Sequence, residues 1–298
     1  MDKIAIAWRR DKKDRFSTIV IKSIKRLGYK PYFLKQVKAD FLDYKRRNVS
    51  KKHLDLNSNS KEKYCMLNLD ASEKLKNCDY SLTNVCKVLK GVKAVVFTGG
   101  EDISSTLFSV PKKAENNGEN FNAGRDVSDY ILMKYCLEHD IKVFAICRGM
   151  QMMAVVSGSV IAQDLEGFYK EKGLTYDFTH RIKGGGKFTY HGINFKKDSL
   201  AYSLFDKEFE NGYIDGIPSW HHQAVIQCPK NVTISGVHNT LGEDIIEAIE
   251  LENKTFALGV QFHIEEIIYE KIKKQHAHET TYKICESFFK NVLINLTK

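Results

Sequence analysis

The stretch Phe144-Ala145-Ile146-Cys147-Arg148-Gly149-Met150-Gln151-Met152-Met153 decides how this chain folds. Just before it, Ile141 to Ile146 is β-branched and aromatic and reads as a short strand. Just after it, Gly149 to Val156 is small and apolar with no turn residue, which reads as the start of a buried helix. A cysteine therefore stands at a strand-to-helix turn, where the amide dipoles of the following helix favour a thiolate. Ala145 and Gly149 are small, and bulk at such an elbow would collide with adjoining strands. The logic is that of the serine elbow with sulfur in place of oxygen. Read alone, the stretch fits a buried space-filling cysteine better than a nucleophile.

Working outward, the rest of the chain supplies an α/β frame. Ile4 to Trp8 reads as a strand, Phe16, Val20, Ile24 and Leu27 recur at helical spacing up to Gly28, and Tyr32 to Leu34 is a second strand. This βαβ opening predicts a parallel sheet. Lys93 to Phe97 is another strand, and it runs into Thr98-Gly99-Gly100-Glu101-Asp102. Glycines directly after a parallel strand leave free amides at the carboxyl edge of the sheet, where open α/β folds keep their sites, although an ordinary turn has the same composition. Helices are expected over Ser81–Leu89 and Asp126–His139, with a polar loop at 110–124 between them.

From about residue 186 the period becomes that of strands. Candidates are Phe188–Phe195, Ala224–Gln227, Val232–Val237, Ile245–Leu251 and Phe256–Phe262. Tyr282, Cys285, Phe289, Val292 and Leu296 then form one stripe of a C-terminal helix that should pack on the sheet. Residues near 38–80 are different: basic, Asn/Ser-rich and sparse in apolar positions, they read as an exposed insertion. With no linker or repeat, the chain reads as a single domain over 1–298.

Composition narrows the function classes. Of 298 residues 43% are hydrophobic and 28% charged, so a sizeable core is expected rather than global disorder. The net charge of +9 is spread along the chain without a nucleic-acid motif, so a lysine-rich solvated surface is expected, not nucleic-acid binding. Seven cysteines, an odd number with no CxxC or zinc-spaced Cys/His pair, point to free thiols in a reducing compartment. The first residues begin a strand rather than a signal peptide, and no apolar run reaches membrane-spanning length. A cytoplasmic protein with no membrane partner is expected.

A nucleophilic cysteine needs a base, and the base an orienter. Of ten histidines, His53 lies in the polar insertion and His276 and His278 lie in a charged segment. His263 stands apart, because it ends the strand Phe256–Phe262 and Glu265 follows two residues on. A histidine at a strand's carboxyl end faces the same edge as Cys147, and Glu265 could hold one ring nitrogen while the other faces the thiol. By spacing alone, His-x-Glu is a weak signal.

Together the pieces resemble a known family. Phe97–Asp102, Ala145–Gln151, Gln163-Asp164-Leu165, Ser219-Trp220-His221-His222-Gln223 and Gly259–Glu265 occur in the order found in class I glutamine amidotransferase-like proteins. Within that superfamily they are most similar to the γ-glutamyl-γ-aminobutyrate hydrolase group. The resemblance runs from residue 1 to about 266 and implies a flavodoxin-like three-layer α/β sandwich with a central, mostly parallel sheet. It further implies Cys147 as nucleophile, His263 as base and later acid, and Glu265 as orienter. Gly100 and Arg148 would give backbone N–H groups to an oxyanion hole, Gly99 would shape the loop that places Gly100, and Gln151 and His221 would line the glutamyl pocket. Arg125 and Asp126 are assigned to structure.

Three residues depart from the family pattern: Ala145 where glycine is usual, Ile264 where proline is usual between the histidine and the glutamate, and Phe108 where tyrosine is frequent at the pocket mouth. None removes a reacting atom. The implied activity is hydrolysis of a small γ-glutamyl amide through a glutamyl thioester, needing neither metal nor other cofactor. Two other readings stay open. One is a glutaminase subunit passing ammonia to a separate synthetase partner, and the other is a non-catalytic binding protein on the same scaffold. The amine half of the substrate and the oligomeric state, a homodimer included, are not legible.

Overall fold

The chain alternates strand and helix from its start. The computed structural model describes residues 2–108, 120–206, 209, 211–272 and 279–298. Strand β1 (Lys3–Ile6) leads through helix α1 (Arg15–Arg26) to β2 (Lys30–Phe33). A small hairpin, β3 (Tyr44–Lys45) and β4 (Asn48–Val49), and helices α2 (Leu69–Lys76) and α3 (Val85–Val88) precede β5 (Ala94–Phe97). Helix α4 (Ala123–Glu138), β6 (Lys142–Ile146) and α5 (Arg148–Val156) build the elbow, and β7 (Val160–Ala162) and α6 (Leu165–Glu171) follow. The antiparallel part comprises β8 (Thr189–Phe195), the short α7 (Leu200–Ser203), β9 (Tyr213–Ser219), β10 (Ala224–Gln227), β11 (Val232–Thr240) and β12 (Glu243–Leu251). Strand β13 (Ala257–Val260) and helices α8 (Ile264–Ile272) and α9 (Glu279–Thr297) complete the chain.

Helix α1 shows how local sequence sets these elements. The Asp14 side chain caps its start by accepting the Ser17 amide at 3.0 Å. Lys25 and Arg26 sit in its last turn, favoured by the helix dipole, and Gly28 takes φ +89° just beyond. Ile19, Val20 and Ile24 are buried, and each fully buried aliphatic side chain stabilises by about 1.5–3 kcal/mol.

The main sheet has the order β2-β1-β5-β6-β13-β12-β11-β8-β9, with β10 on β12 and β7 on β10. The β2-β1-β5-β6-β13 half is parallel and the remainder antiparallel. Alternation along β6 divides the core: Val143 and Ala145 pack with α4 and α5, whereas Phe144 and Ile146 pack with α1, α8 and α9. The result is the three-layer α/β sandwich expected from the sequence. Tyr282, Cys285, Phe289, Val292 and Leu296 are buried on α9, as their stripe predicts.

The structure corrects several expectations. Residues 38–80 are not an exposed insertion, since Leu42, Val49, Leu54, Leu67, Ala71 and Leu75 are buried in the same core as Val143. Their lysines and asparagines occupy the outside, which is what the composition registered. The helix expected over Ser81–Leu89 is split into a 3-10 turn at Tyr80–Leu82 and the short α3. Most of the loop expected at 110–124 lies outside the described residues, and its end, Ala123 and Gly124, already belongs to α4. Strand β9 was not legible, because Gly216 at φ +72° and Pro218 interrupt its pattern. All seven cysteines are unpaired. Among the described residues, no helix is long and apolar enough to cross a membrane.

Candidate active site

Three neighbouring strands deliver the candidate groups to one edge. In register, Phe97 on β5 pairs with Ala145 on β6, and Ile146 on β6 pairs with Val260 on β13. Gly100, Cys147 and His263 therefore leave the same carboxyl edge within a few residues of paired rungs. Cys147 is 5% exposed and has φ +50°, ψ −109°, a region costly for a residue with a Cβ. The Cys147 amide donates to Val260 O at 2.7 Å, which ties the strained turn to β13. Gly149 makes the turn feasible: a Cβ there would lie 2.8 Å from both Cβ and the carbonyl oxygen of Phe97. Arg148 opens α5, so its amide, like any first helical N–H, has no partner four residues back. Ala145 is fully buried in β6 and carries ordinary ladder pairing on both sides.

His263 follows β13 and is fully buried. Its Nδ1 lies 2.8 Å from Glu265 Oε1. Its Nε2 carries no formed hydrogen bond and faces the Cys147 thiol. Burial works against charge on the ring, but the neighbouring Cys147 and then Glu265 outweigh it and raise the His263 pKa well above its ordinary value. Phe16 stacks on the ring at 5.3 Å between centroids and Phe188 meets it edge-on at 5.2 Å, so the imidazole is held on two sides. Ile264 is the first residue of α8 and is buried. Proline is favoured at that position because its missing N–H would be unpaired anyway; isoleucine leaves the helix and the His263–Glu265 contact intact.

The glycine pair is gripped from behind. Gly99 O accepts from Arg9 Nη1 at 2.6 Å and from Arg125 Nη1 at 3.0 Å, and Thr98 O accepts from Arg125 Nη2 at 2.8 Å. Gly100 has φ +145°, and a Cβ on it would run into both guanidinium groups. A Cβ on Gly99 would lie 2.9 Å from His263 Cε1 and 3.5 Å from Cys147 Cβ. Gly99 is therefore restricted to glycine by contact, and Gly100 by contact and conformation together.

The guanidiniums belong to a buried charge network under the site. Arg125 pairs with Glu101 at 2.8 Å and Asp129 at 3.1 Å, and the Arg148 side chain turns away from the elbow to Asp126 and Asp129, each at 2.5 Å. Burial opposes ionisation of Glu101, yet Arg125, Arg9 and Arg148 hold its carboxyl well below the usual range. Assigning Arg125 and Asp126 to structure from sequence is accurate as far as contacts go. The anchoring of the glycine pair by Arg125 was not legible.

A cavity of about 240 Å³ opens over these groups, lined among others by Gly100, Cys147, Gln151, Arg181, Trp220 and His221. Gln151 Nε2 donates to Gln223 O at 2.9 Å and to Gln261 Oε1 at 3.2 Å. His221 lines the wall, but its ring is engaged elsewhere: Nδ1 donates towards Gln223 O at 3.0 Å and Nε2 turns to Glu247. His222 bridges Asp102 and Asp164 at 3.0 and 3.1 Å; burial lowers its pKa, but Asp102 and then Asp164 push it up to about 9. Phe108 is not at the cavity; it is buried in the core beside Leu107. Sequence reasoning missed Arg9, Trp220 and Arg181. Arg9 had a usable signal, a cation just past the end of a parallel strand, while Arg181 had none.

Comparison with other proteins follows the same lines. A family model described as peptidase C26 matches residues 78–265. A provisionally named glutamine amidotransferase of Mycobacterium tuberculosis is 30% identical over 179 residues, covering 60% of this chain and 52% of that protein. Protein NtpR of Enterococcus hirae is 27% identical over 176 residues, covering 58% of this chain and 67% of that protein. The match thus spans about half the length of the mycobacterial relative. A solved glutamine amidotransferase of Thermotoga maritima aligns over 100% of this chain and 98% of its own at a TM-score of 0.51 and 13% identity, a likeness of fold. The family match takes in more than half of the chain and closes on the Cys147, His263 and Glu265 constellation, and the chain belongs to the peptidase C26 family, among the class I glutamine amidotransferase-like proteins.

Proposed function

We propose that this protein is a cysteine hydrolase that cleaves the γ-glutamyl amide bond of a small compound, releasing glutamate and an amine. One observation carries the reading: a cysteine on a positive-φ elbow faces a histidine whose other ring nitrogen is 2.8 Å from a buried glutamate. His263 takes the Cys147 proton, and the thiolate attacks the γ-carbonyl. The tetrahedral oxyanion is met by the amides of Gly100 and Arg148, a type of donor whose loss costs about 100- to 1000-fold in rate. The C–N bond breaks as His263 protonates the leaving amine. His263 then deprotonates a water molecule, which cleaves the glutamyl thioester and returns the proton to the thiol.

The cavity supports a small acyl group, since pockets for drug-sized molecules run to roughly 300–1,000 Å³. Arg181 on its wall makes no ion pair with a described residue and suits the substrate's α-carboxylate. Glu101 and Asp102 on the same wall suit an α-ammonium group. This is also the reading that the likeness to the γ-glutamyl-γ-aminobutyrate hydrolase group suggests. The test is a panel of γ-glutamyl amides with released glutamate as the readout. Turnover that vanishes in Cys147→Ala supports the proposal, and turnover undiminished in that variant ends it.

The amidotransferase names of the mycobacterial and Thermotoga relatives favour a second reading, a glutaminase subunit delivering ammonia to a synthetase. Glutamine preferred over every other γ-glutamyl amide, with hydrolysis rising sharply on adding a co-purifying synthetase, would select it.

A further inference from the structure

Behind the cavity wall, the antiparallel half of the sheet gathers four polar side chains that the hydrolysis does not use. His180 precedes β8, His191 lies on β8, His221 follows β9 and Glu247 lies on β12; each is buried, at 0%, 4%, 4% and 0% exposure. One potential ligand atom from each falls within 4.8 Å of all the others. Glu247 Oε1 is 3.2 Å from His180 Nδ1, 3.3 Å from His221 Nε2 and 3.7 Å from His191 Nε2. By hydrogen-bond geometry none of these four atoms has a formed bond, nor do Glu247 Oε2 and His180 Nε2.

Six buried polar atoms without a protein partner in one cluster are costly unless something else pairs with them. Protons alone serve the cluster poorly: charge-assisted N–H···O⁻ bonds run at about 2.7–2.9 Å, whereas three rings share one carboxylate oxygen at 3.2 Å or more and Glu247 Oε2 has no partner. The tautomers point the same way. His191 Nδ1 is 3.1 Å from Gly192 O and His221 Nδ1 is 3.0 Å from Gln223 O. A ring whose Nδ1–H donates to a carbonyl presents a bare lone pair at Nε2, so these lone pairs converge on a carboxylate. A histidine that binds a metal through one ring nitrogen usually donates its other N–H to a carbonyl or carboxylate in this way. Spacing agrees: a tetrahedral ion with bonds of about 2.0–2.2 Å separates its ligand atoms by about 3.4 Å, close to the three oxygen-to-nitrogen distances.

The geometry points to a metal site: His180 Nδ1, His191 Nε2, His221 Nε2 and a Glu247 carboxylate oxygen form a closed, four-ligand site for one divalent transition ion of the zinc class. Three imidazoles and a carboxylate suit such an ion over calcium or magnesium, which take oxygen ligands. Four protein ligands leave no open position, so the role is structural. The ion would rivet the wall of the cavity: His221 shares the Gln223 carbonyl with Gln151, and the His221 amide donates to His180 O at 3.1 Å. Nothing in this inference depends on the reaction catalysed.

Full-length protein stripped with a chelator is titrated with Zn²⁺ and with Co²⁺, while folding is followed by circular dichroism. Uptake of one ion per chain, a higher Tm, and a tetrahedral Co²⁺ spectrum free of thiolate charge-transfer bands are expected. Unfolding on stripping that Zn²⁺ but not Mg²⁺ reverses would equally support the site. The Cys147→Ala chain should bind identically, which separates this site from the cysteine pocket. Glu247→Gln and His191→Asn should each weaken binding by more than about 10-fold, the low end of what loss of even a supporting contact costs. A folded, stripped wild-type chain that takes up neither ion and keeps its Tm would overturn the proposal. So would a sulfur-ligated Co²⁺ spectrum, or binding unchanged in a folded Glu247→Gln chain.

Discussion

Arg9 Nη1 and the Gly99 carbonyl oxygen are 2.6 Å apart, and this contact fixes the direction of a different group. The Gly99–Gly100 peptide is trans, as are all described peptides, so its N–H and C=O point to opposite sides. With the carbonyl held by Arg9 and Arg125, the Gly100 N–H must point away from both guanidiniums. Under the proposed mechanism, Arg9 is thus a positioning residue for an oxyanion donor. Arg9→Met should lower kcat by about tenfold with KM little changed, less than the roughly 100- to 1000-fold of a lost donor, because Arg125 remains. Steady-state kinetics on a γ-glutamyl amide, with Arg9→Lys as the partial-rescue control, decides it.

Cys147 holds a strained backbone whatever its sulfur does. Relief of such strain is worth about 1–3 kcal/mol. Cys147→Gly should therefore be more stable than Cys147→Ala by about 1 kcal/mol, although both lack the thiol and neither turns over substrate. Urea denaturation of the two variants measures the difference, and an alanine variant of equal or greater stability would show that the elbow is relaxed.

The charge on Glu265 is one of the causes that raise His263. Replacing it with glutamine removes that support, so the ring releases its proton at lower pH. Under the proposed mechanism, loss of the imidazolium sets the alkaline limb of activity, and that limb should shift towards acid in Glu265→Gln. The maximum should fall by about 100-fold, the lower end of what acid–base assistance contributes. A pH–rate profile of kcat/KM for both proteins tests the sign as well as the size.

Gly149→Ala places a methyl group against the Phe97 carbonyl, which as sheet backbone cannot move aside. Overpacking of this kind costs about 1–3 kcal/mol. A lower Tm together with lost turnover is expected, since α5 must shift and take the Arg148 amide with it. A variant with wild-type Tm and kcat would mean that the elbow is looser than these distances indicate.

Much of this was legible because it is local. The elbow, the glycine pair and His-x-Glu are each contiguous, and the stripes of α1 and α9 repeat over several turns. What stayed hidden depends on distant partners. Arg125 reads as an ordinary helical arginine until β5 is folded against α4. His180, His191, His221 and Glu247 have no recognisable spacing, and only the antiparallel order β12-β11-β8-β9 brings them together. Residues 38–80 misled because a third of a segment can be buried without any periodic pattern when it has little regular structure. Ile264 looked like a defect, yet the first position of a helix tolerates isoleucine without altering the contact beside it.

Paired rungs on β5, β6 and β13 bring Gly100, Cys147 and His263 to one edge of the sheet. Their separations are thus inherited from the hydrogen-bond ladder, whose strand spacing of about 4.8 Å is a property of the backbone and not of any side chain. Loops beyond those rungs can therefore change while that spacing stays fixed, much as a lathe accepts new tools without being realigned.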